Sequence, residues 1–241
     1  MVILLALLII LGSSLFALVL TSLIFRREIK ATFERDPAAT SFVEVLLTYA
    51  GLHATIFYRI AHSLKKIRIP FIPRFISQLA RWLTGIEIHP GAEIADGFFI
   101  DHGMGVVIGE TTVIGSNVTI FQGVTLGGTG KEPGKRHPTL GNNVVVGTGA
   151  KVLGNVKVGD NVQIGANAVV VRDVPPNSTV VGVPGRIVKK EGKKIPGISL
   201  DHTSLPDPIA QRLDRLQHEI DHIEGDIKEH RRKKSQGNDN I

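Results

Sequence analysis

An aliphatic residue recurs every sixth position over most of this chain, and no other feature narrows the fold so far. Ile88, Ile94 and Ile100 are followed, after a two-residue slip at Val106-Val107, by Ile108, Ile114, Ile120 and Leu126. After a break the series resumes in register at Leu140, Val146, Val152, Val158, Ile164 and Val170. A second small or apolar residue often follows four positions later, as at Val118, Val124, Ala150 and Ala168, and glycine often stands next to the first, as at Gly109, Gly115, Gly141 and Gly165. Such a period predicts a parallel β-helix in which each hexapeptide supplies one short strand and one corner. Eighteen residues then make one triangular turn, and the aliphatic side chains stack inward coil on coil.

Composition agrees with a thin, repetitive core. Only 5% of the 241 residues are aromatic while 26 are glycine, so the interior must be tiled from Val, Ile, Leu and Ala. The absence of cysteine excludes disulfides, thiolate zinc sites, iron–sulfur clusters and a cysteine nucleophile together. Chemistry falls to His, Asp, Glu, Arg and backbone groups. The net charge of +6 is concentrated at Arg26-Arg27 and at Arg231 to Lys234, without a basic stripe interleaved with aromatics, so no nucleic-acid partner is expected.

The flanks differ in kind. Residues 1–25 carry no charge and are long enough to span a bilayer as a helix. Arg26-Arg27 directly after them would keep the remainder cytoplasmic, anchored to the cytoplasmic membrane, by the positive-inside rule. A buried helix or an upstream start codon is the other reading of that run. Residues 28–84 show helical spacing (Phe42, Val45, Leu46, Tyr49, then Leu52, Ile56, Ile60), punctuated by Pro37, Pro70 and Pro73, and predict a small helical domain. The repeat domain covers 86–188, interrupted by a Gly- and Pro-rich segment, 127–139, that must leave the ladder as a loop. In 205–230, Ile209, Leu213, Leu216, Ile220, Ile223 and Ile227 form a short heptad seam, read as a trimeric stalk or as a helix lying on its own domain. Residues 231–241 read as a flexible tail.

Several strings are more specific than the period: RDPA at Arg35 to Ala38, EIHPGA at Glu87 to Ala92, IDHGMGVVIGET at Ile100 to Thr111, VTLGGTGKEPGKRHP at Val124 to Pro138 and VPPNSTVVGVPGRIV at Val174 to Val188. Together these resemble the serine O-acetyltransferases, hexapeptide-repeat enzymes that acetylate L-serine from acetyl-CoA for cysteine synthesis. The resemblance implies that the coil is a left-handed parallel β-helix and that the chain assembles as a homotrimer or a dimer of trimers. It also implies roles for individual residues. His102 would be the general base, a task that suits imidazole near neutral pH. Glu87 falls where the family has an aspartate that steadies the base, a departure of one methylene. Asp36 and Asp101 would take the substrate ammonium and Arg136 its carboxylate, since a guanidinium fork suits that group. His137 would be a second, orienting imidazole. Acetyl-CoA would lie near Gly128, Gly147, Thr148 and Ala166, with Lys131 or Lys189 toward its phosphates. The C-terminal Ile241 would enter cysteine synthase as a carboxylate-plus-apolar anchor.

Other readings stay open on the residues alone. A sugar hydroxyl could be the acceptor, or the chain could be an inactive, membrane-tethered scaffold for cysteine synthase; the paired charges of Asp36, Asp101 and Arg136 favour an amino acid. His53, His62, His202 and His218 read as solvated corner residues and His89 as structural. No metal is expected, because the closely spaced histidine pair of the zinc-holding hexapeptide proteins is missing.

Overall fold

The structure is a computed structural model that describes residues 12, 22–131, 133–188, 213 and 216–223. Among the described residues, the helices α1 (Arg26–Arg35), α2 (Phe42–Thr48), α3 (Ala50–Lys66) and α4 (Ile72–Thr84) precede the strands. Pro37 ends α1, forcing Asp36 into an extended conformation at its C-cap. Ser41 starts α2 by accepting the Glu44 N–H, and Gly85, at φ 73°, closes α4 in the left-handed region.

Among the described residues, fifteen strands of two or three residues then wind into a left-handed parallel β-helix. Its first face is β1 (Glu87–Ile88), β4 (Val107–Ile108), β7 (Thr125–Gly127), β10 (Lys151–Leu153) and β13 (Val169–Val170). The second is β2 (Glu93–Ile94), β5 (Val113–Ile114), β8 (Thr139–Leu140) and β11 (Lys157–Val158). The third is β3 (Phe99–Ile100), β6 (Thr119–Ile120), β9 (Val145–Val146), β12 (Gln163–Ile164) and β14 (Thr179–Val181), finished by antiparallel β15 (Arg186–Val188). Every aliphatic residue of the six-residue series is buried in one continuous core.

Register shows where the sequence departs from the ideal coil. Val107 pairs with Thr125 and Lys151 with Val169, the expected advance of eighteen. Glu87 pairs with Val107, an advance of twenty, and the two extra residues swell the turn Asp101–Gly105. Thr125 pairs with Lys151, an advance of twenty-six, because the 127–139 segment is extruded.

Corners between the second and third faces are held by a column of left-handed asparagines. Asn117, Asn143, Asn161 and Asn177 have φ between 55° and 58°. Each side-chain amide donates to the next side-chain carbonyl, for example Asn143 to Asn161 at 3.1 Å. Asparagine is the side chain that tolerates this conformation while still offering hydrogen bonds.

The helices cap one open end of the prism. The first coil bonds the second, as Glu87 does to Val106 and Glu93 to Thr112, but no coil precedes it, so the carbonyls on its open side have no ladder partner. Donors from the helices meet them: Arg35 on Gly97, Tyr58 on Ala92 at 2.7 Å, Arg59 on Ala95, the His62 Nδ1–H on Pro90 and Ser77 on Ile88 at 2.7 Å. Ala54 and Tyr58 join the β-helix core, and residues 1–205 form one compact unit. Residues 206–241 form a second unit. In it residues 216–223 are helical and the seam residues Leu216, Ile220 and Ile223 are exposed; Ile209 and Ile227 lie outside the described residues.

The membrane span read at residues 1–25 falls, apart from Gly12 and residues 22–25, outside the described residues. Among the described residues no helix is long and apolar enough to cross a membrane.

The asparagine column yields a stability test. Asn143→Ala should be about 1–2 kcal/mol less stable than Asn143→Gly in denaturant unfolding, since alanine alone suffers in the left-handed region. Equal stability of the two variants would remove the conformational argument.

Candidate active site

The swollen turn presents His102. Gly103 donates its N–H to the Asp101 carbonyl at 2.6 Å, closing a tight turn with His102 at its centre at φ 56°. A non-glycine residue held there is strained, and such strain persists where surrounding structure enforces it. The Asp101 N–H, fixed on the Ile120 carbonyl at 2.9 Å, anchors the turn to the next coil. The His102 side chain stands 75% exposed, with Nε2 3.9 Å from the Asp101 carboxylate.

Asp36 belongs to the same neighbourhood. Its Oδ1 accepts the Ala38 N–H at 2.8 Å and its Oδ2 the Tyr49 O–H at 2.7 Å, so the carboxylate is held at both oxygens. The Tyr49 phenol is pushed up to about 12, by burial first, then by its bond to Asp36 and by the charges of Asp36, Glu44 and Asp101. Three carboxylates thus surround one phenol, an arrangement suited to a cation. Arg35 sets this piece of chain on the prism through the Gly97 carbonyl and Thr119, at 3.1 and 3.0 Å. Burial lowers its guanidinium from the usual range.

Arg136 and His137 lie elsewhere, at the end of the extruded loop between β7 and β8. Thr111, at the corner after β4, ties the loop down. Its Oγ1 accepts the Arg136 and His137 N–H groups at 3.1 and 3.2 Å and sits 2.9 Å from the His137 Nδ1. His137 is only 8% exposed, and burial, then Arg136 and Lys135, lower its basicity. A Cβ on Gly109 would overlap the His137 ring, which explains glycine there. Glu110, beside Arg136, is kept ionised below the usual range mainly by its hydrogen bond from Lys65.

This geometry can be set beside known proteins. Residues 137–172 match the family model described as bacterial transferase hexapeptide (six repeats). The serine acetyltransferase of Bacillus pumilus is 54% identical over 211 residues, covering 88% of this chain and 97% of that one. The chain belongs to the serine acetyltransferase family. Crystal structures of the Neisseria gonorrhoeae serine acetyltransferase align with a TM-score of 0.70 at 43% identity, over 73% of this chain and 67% of that one. The same protein in complex with serine aligns at 0.67 and 42% identity, over 70% and 69%.

Within this serine acetyltransferase the residues singled out by sequence divide between the two edges of the first face. Asp101 and His102 occupy the edge where the chain passes from the third face to the first. Gly147, Thr148 and Ala166 lie on turns of that same edge. Backbone bonds stack these turns coil by coil, from Gly123 to Met104, Gly149 to Gln122 and Asn167 to Thr148. Gly128, Arg136 and His137 occupy the other edge. Gly128 lies against the loop, where a Cβ would come to 3.1 Å from both the Arg136 side chain and the His137 Nε2. Its place differs from that of the other three glycine and small-residue positions. Glu87 does not meet His102: its carboxylate pairs with Arg81 at 3.2 Å and with Arg74 at 4.0 Å, because α4 packs directly on β1. Lys131 is exposed on the loop, whereas Lys189 and Ile241 lie outside the described residues. Among the described residues no group of three His, Asp or Glu side chains gathers as a metal site would.

Sequence reading missed Tyr49, Arg35 and Thr111. The RDPA and GET strings contain two of them, but nothing in a linear pattern says that Arg35 reaches Gly97 or that Thr111 reaches His137. His53, His62 and His89 are tied into the structure. His53 and His62 are not solvated corners: both lie on α3, at 2.8 and 2.9 Å from the Leu46 and Pro90 carbonyls. His89 accepts the Gly91 N–H on Nδ1 at 3.0 Å.

His89 makes a pH prediction. Burial, helped by the charge of Arg74, pushes its imidazole down to about 4. The unfolded residue titrates near 6.5, so on acidification the unfolded chain takes up the proton first. Stability is therefore complete above about 6.5 and falls as the pH drops toward 4. Thermal midpoints should fall across this window, and fall less in His89→Asn, whose amide oxygen can keep the Gly91 bond. An identical pH profile in the variant would reject the assignment.

Proposed function

We propose that this serine acetyltransferase uses His102 as its general base and assembles each site from two copies of the chain. The observation that carries this reading is the split of the site. Asp36, Tyr49, Asp101 and His102 gather at one edge of the first face, while Arg136 and His137 gather at the other. An amino acid presents an ammonium, a carboxylate and a hydroxyl within a few ångströms, so it needs both groups at once. A homotrimer packed around the first faces would bring the Asp36–His102 edge of one copy to the Arg136–His137 edge of the next. Apolar surface fits such packing: Phe75, Leu79 and Trp82 are exposed along α4, and Val107 is exposed on the first face.

In this reading Asp36 and Asp101 take the ammonium of L-serine and the partner copy's Arg136 takes the carboxylate. His102 removes the hydroxyl proton as the oxygen attacks the thioester carbonyl carbon of acetyl-CoA. The tetrahedral intermediate collapses with cleavage of the carbon–sulfur bond, and the proton held by His102 passes to the departing thiolate. O-acetyl-L-serine and coenzyme A leave. The glycine-lined turns beside His102, with Gly147, Thr148 and Ala166, are the surface on which the pantetheine arm would lie. Glu87, held by Arg81 and Arg74, supports α4 on the first strand, and any contact with His102 would require it to leave those arginines.

The test is acetyl-CoA consumption with L-serine by the full chain and by two variants. His102→Ala and His137→Ala should each lose activity, the first by about 10²-fold or more, the scale of a lost general base. Co-expressed, the two inactive variants should regain activity, because mixed trimers contain some sites with both histidines intact. Mixed trimers that stay as inactive as the parents would show that each chain builds its site alone.

The cysteine synthase partner and the membrane anchor are separate proposals resting on Ile241 and on residues 1–25. Loss of co-purification with cysteine synthase on deleting Ile241, and resistance to alkaline extraction conferred by residues 1–25, are the respective expected results.

A further inference from the structure

We infer that Thr111 is a positioning residue that locks His137 as a neutral imidazole carrying its proton on Nε2, so that His137 serves as a hydrogen-bond donor and not as a second base. The inference deepens the functional reading above and rests on it for the placement of His137 at the substrate.

The argument is an inventory of hydrogens. The Thr111 Oγ1 accepts two backbone N–H groups, from Arg136 and His137, at 3.1 and 3.2 Å. A hydroxyl has two lone pairs and one proton, so with both lone pairs engaged its proton must be donated. The His137 Nδ1 lies 2.9 Å away and receives it. The backbone N–H of Thr111, which can only donate, points at the same Nδ1 at 3.2 Å. Two donors aimed at one ring nitrogen leave that nitrogen no room for a proton, and a neutral imidazole must then carry its hydrogen on the other.

The surroundings oppose the doubly protonated ring. Arg136 and Lys135 are the nearest cations, and the Lys135 ammonium is held at the same corner by the Thr111 and Pro138 carbonyls. Glu110 is the carboxylate facing His137, but it is paired with Lys65 and also lies beside Arg136. His89 adds a further imidazole nearby. The ring's Nε2 edge faces the space left free by Gly109 and Gly128, where any side chain on Gly109 would collide with it. In the functional reading above, this donor end is the one offered to a substrate carboxylate or to the developing oxyanion.

Chemically, the site would hold two histidines with fixed and different duties. His102 can gain a proton during the reaction. His137 cannot do so without breaking two bonds to Thr111.

The experiment combines ring spectroscopy with kinetics on the full chain. In ¹⁵N-labelled protein near neutral pH, the His137 ring should show a protonated Nε2 and a bare Nδ1. Thr111→Val keeps the backbone donor but removes the hydroxyl. It should raise KM for serine by about tenfold, the scale of one lost hydrogen bond, with KM for acetyl-CoA unchanged, while Thr111→Ser should restore the native value. His137→Gln, whose amide NH₂ can stand in for Nε2–H, should retain far more activity than His137→Ala. A ring protonated on Nδ1, or doubly protonated, in the native protein overturns the proposal. So does an unchanged serine KM in a correctly folded Thr111→Val. An unchanged serine KM in His137→Ala would instead overturn the placement of His137 at the substrate, whatever tautomer the spectrum shows.

Discussion

In a parallel β-helix every coil is hydrogen-bonded to the coil before it and the coil after it, and this stacking governs the rest of the molecule. N–H groups at the strands reach forward to the next coil, as in Val107 to Val124, Thr125 to Ala150 and Lys151 to Ala168, while N–H groups at the corners reach back, as in Gly123 to Met104 and Asn143 to Ser116. Residues can stack only if equivalent positions lie one above another, so any residue beyond eighteen per coil must leave the ladder. Such departures concentrate in the turn of Asp101 and His102 and in the loop ending in Arg136 and His137. Among the described residues, candidate reactive groups therefore sit where the prism bulges, yet each bulge is anchored at both ends by paired strands. Precise geometry is easier to keep on such a scaffold than on a free loop.

The first coil has no predecessor, so the carbonyls on its open side lack ladder partners, and unpaired backbone groups of this kind are costly to bury. Helical side chains that donate meet that need: Tyr58, Arg59, His62 and Ser77, with Arg35 from α1. Capping is thus coupled to the site. Arg35 immediately precedes Asp36, and Tyr49 immediately precedes α3, so the helices that satisfy the end of the prism also bring Asp36 and Tyr49 close to Asp101. A substitution that weakens docking of α3 would be felt at the ammonium side before it unfolded the coils.

Much of the fold was legible because a six-residue period is a local signal that survives without knowledge of contacts. The two-residue slip near Val106 and the break after Leu126 were visible as faults in that period, and both mark residues of the candidate site. Partners far apart in sequence were not legible. Nothing in the order of residues links Thr111 to His137 or Glu87 to Arg81, because side-chain bonds across a corner or between helix and strand have no period. The charge of Glu87 invited a pairing with His102, but α4 delivers two arginines to it first. Gly128 was grouped with Gly147 by residue type, whereas the winding puts them on different edges of the first face.

His102 and His137 show how far the surroundings, not the residue type, set a chemical role. One ring is largely in solvent at the apex of a strained turn, with Nε2 3.9 Å from the Asp101 carboxylate. The other is buried, flanked by Arg136 and Lys135, and faced by donors that occupy its Nδ1. A base must accept a proton and release it within each cycle, whereas a donor must hold its own throughout. Under the proposed mechanism, exchange of the two environments would deny the base role to His102 and open it to His137. The division therefore depends on Thr111 and the loop backbone as much as on the histidines, and an altered loop could disable the site with both imidazoles still in place.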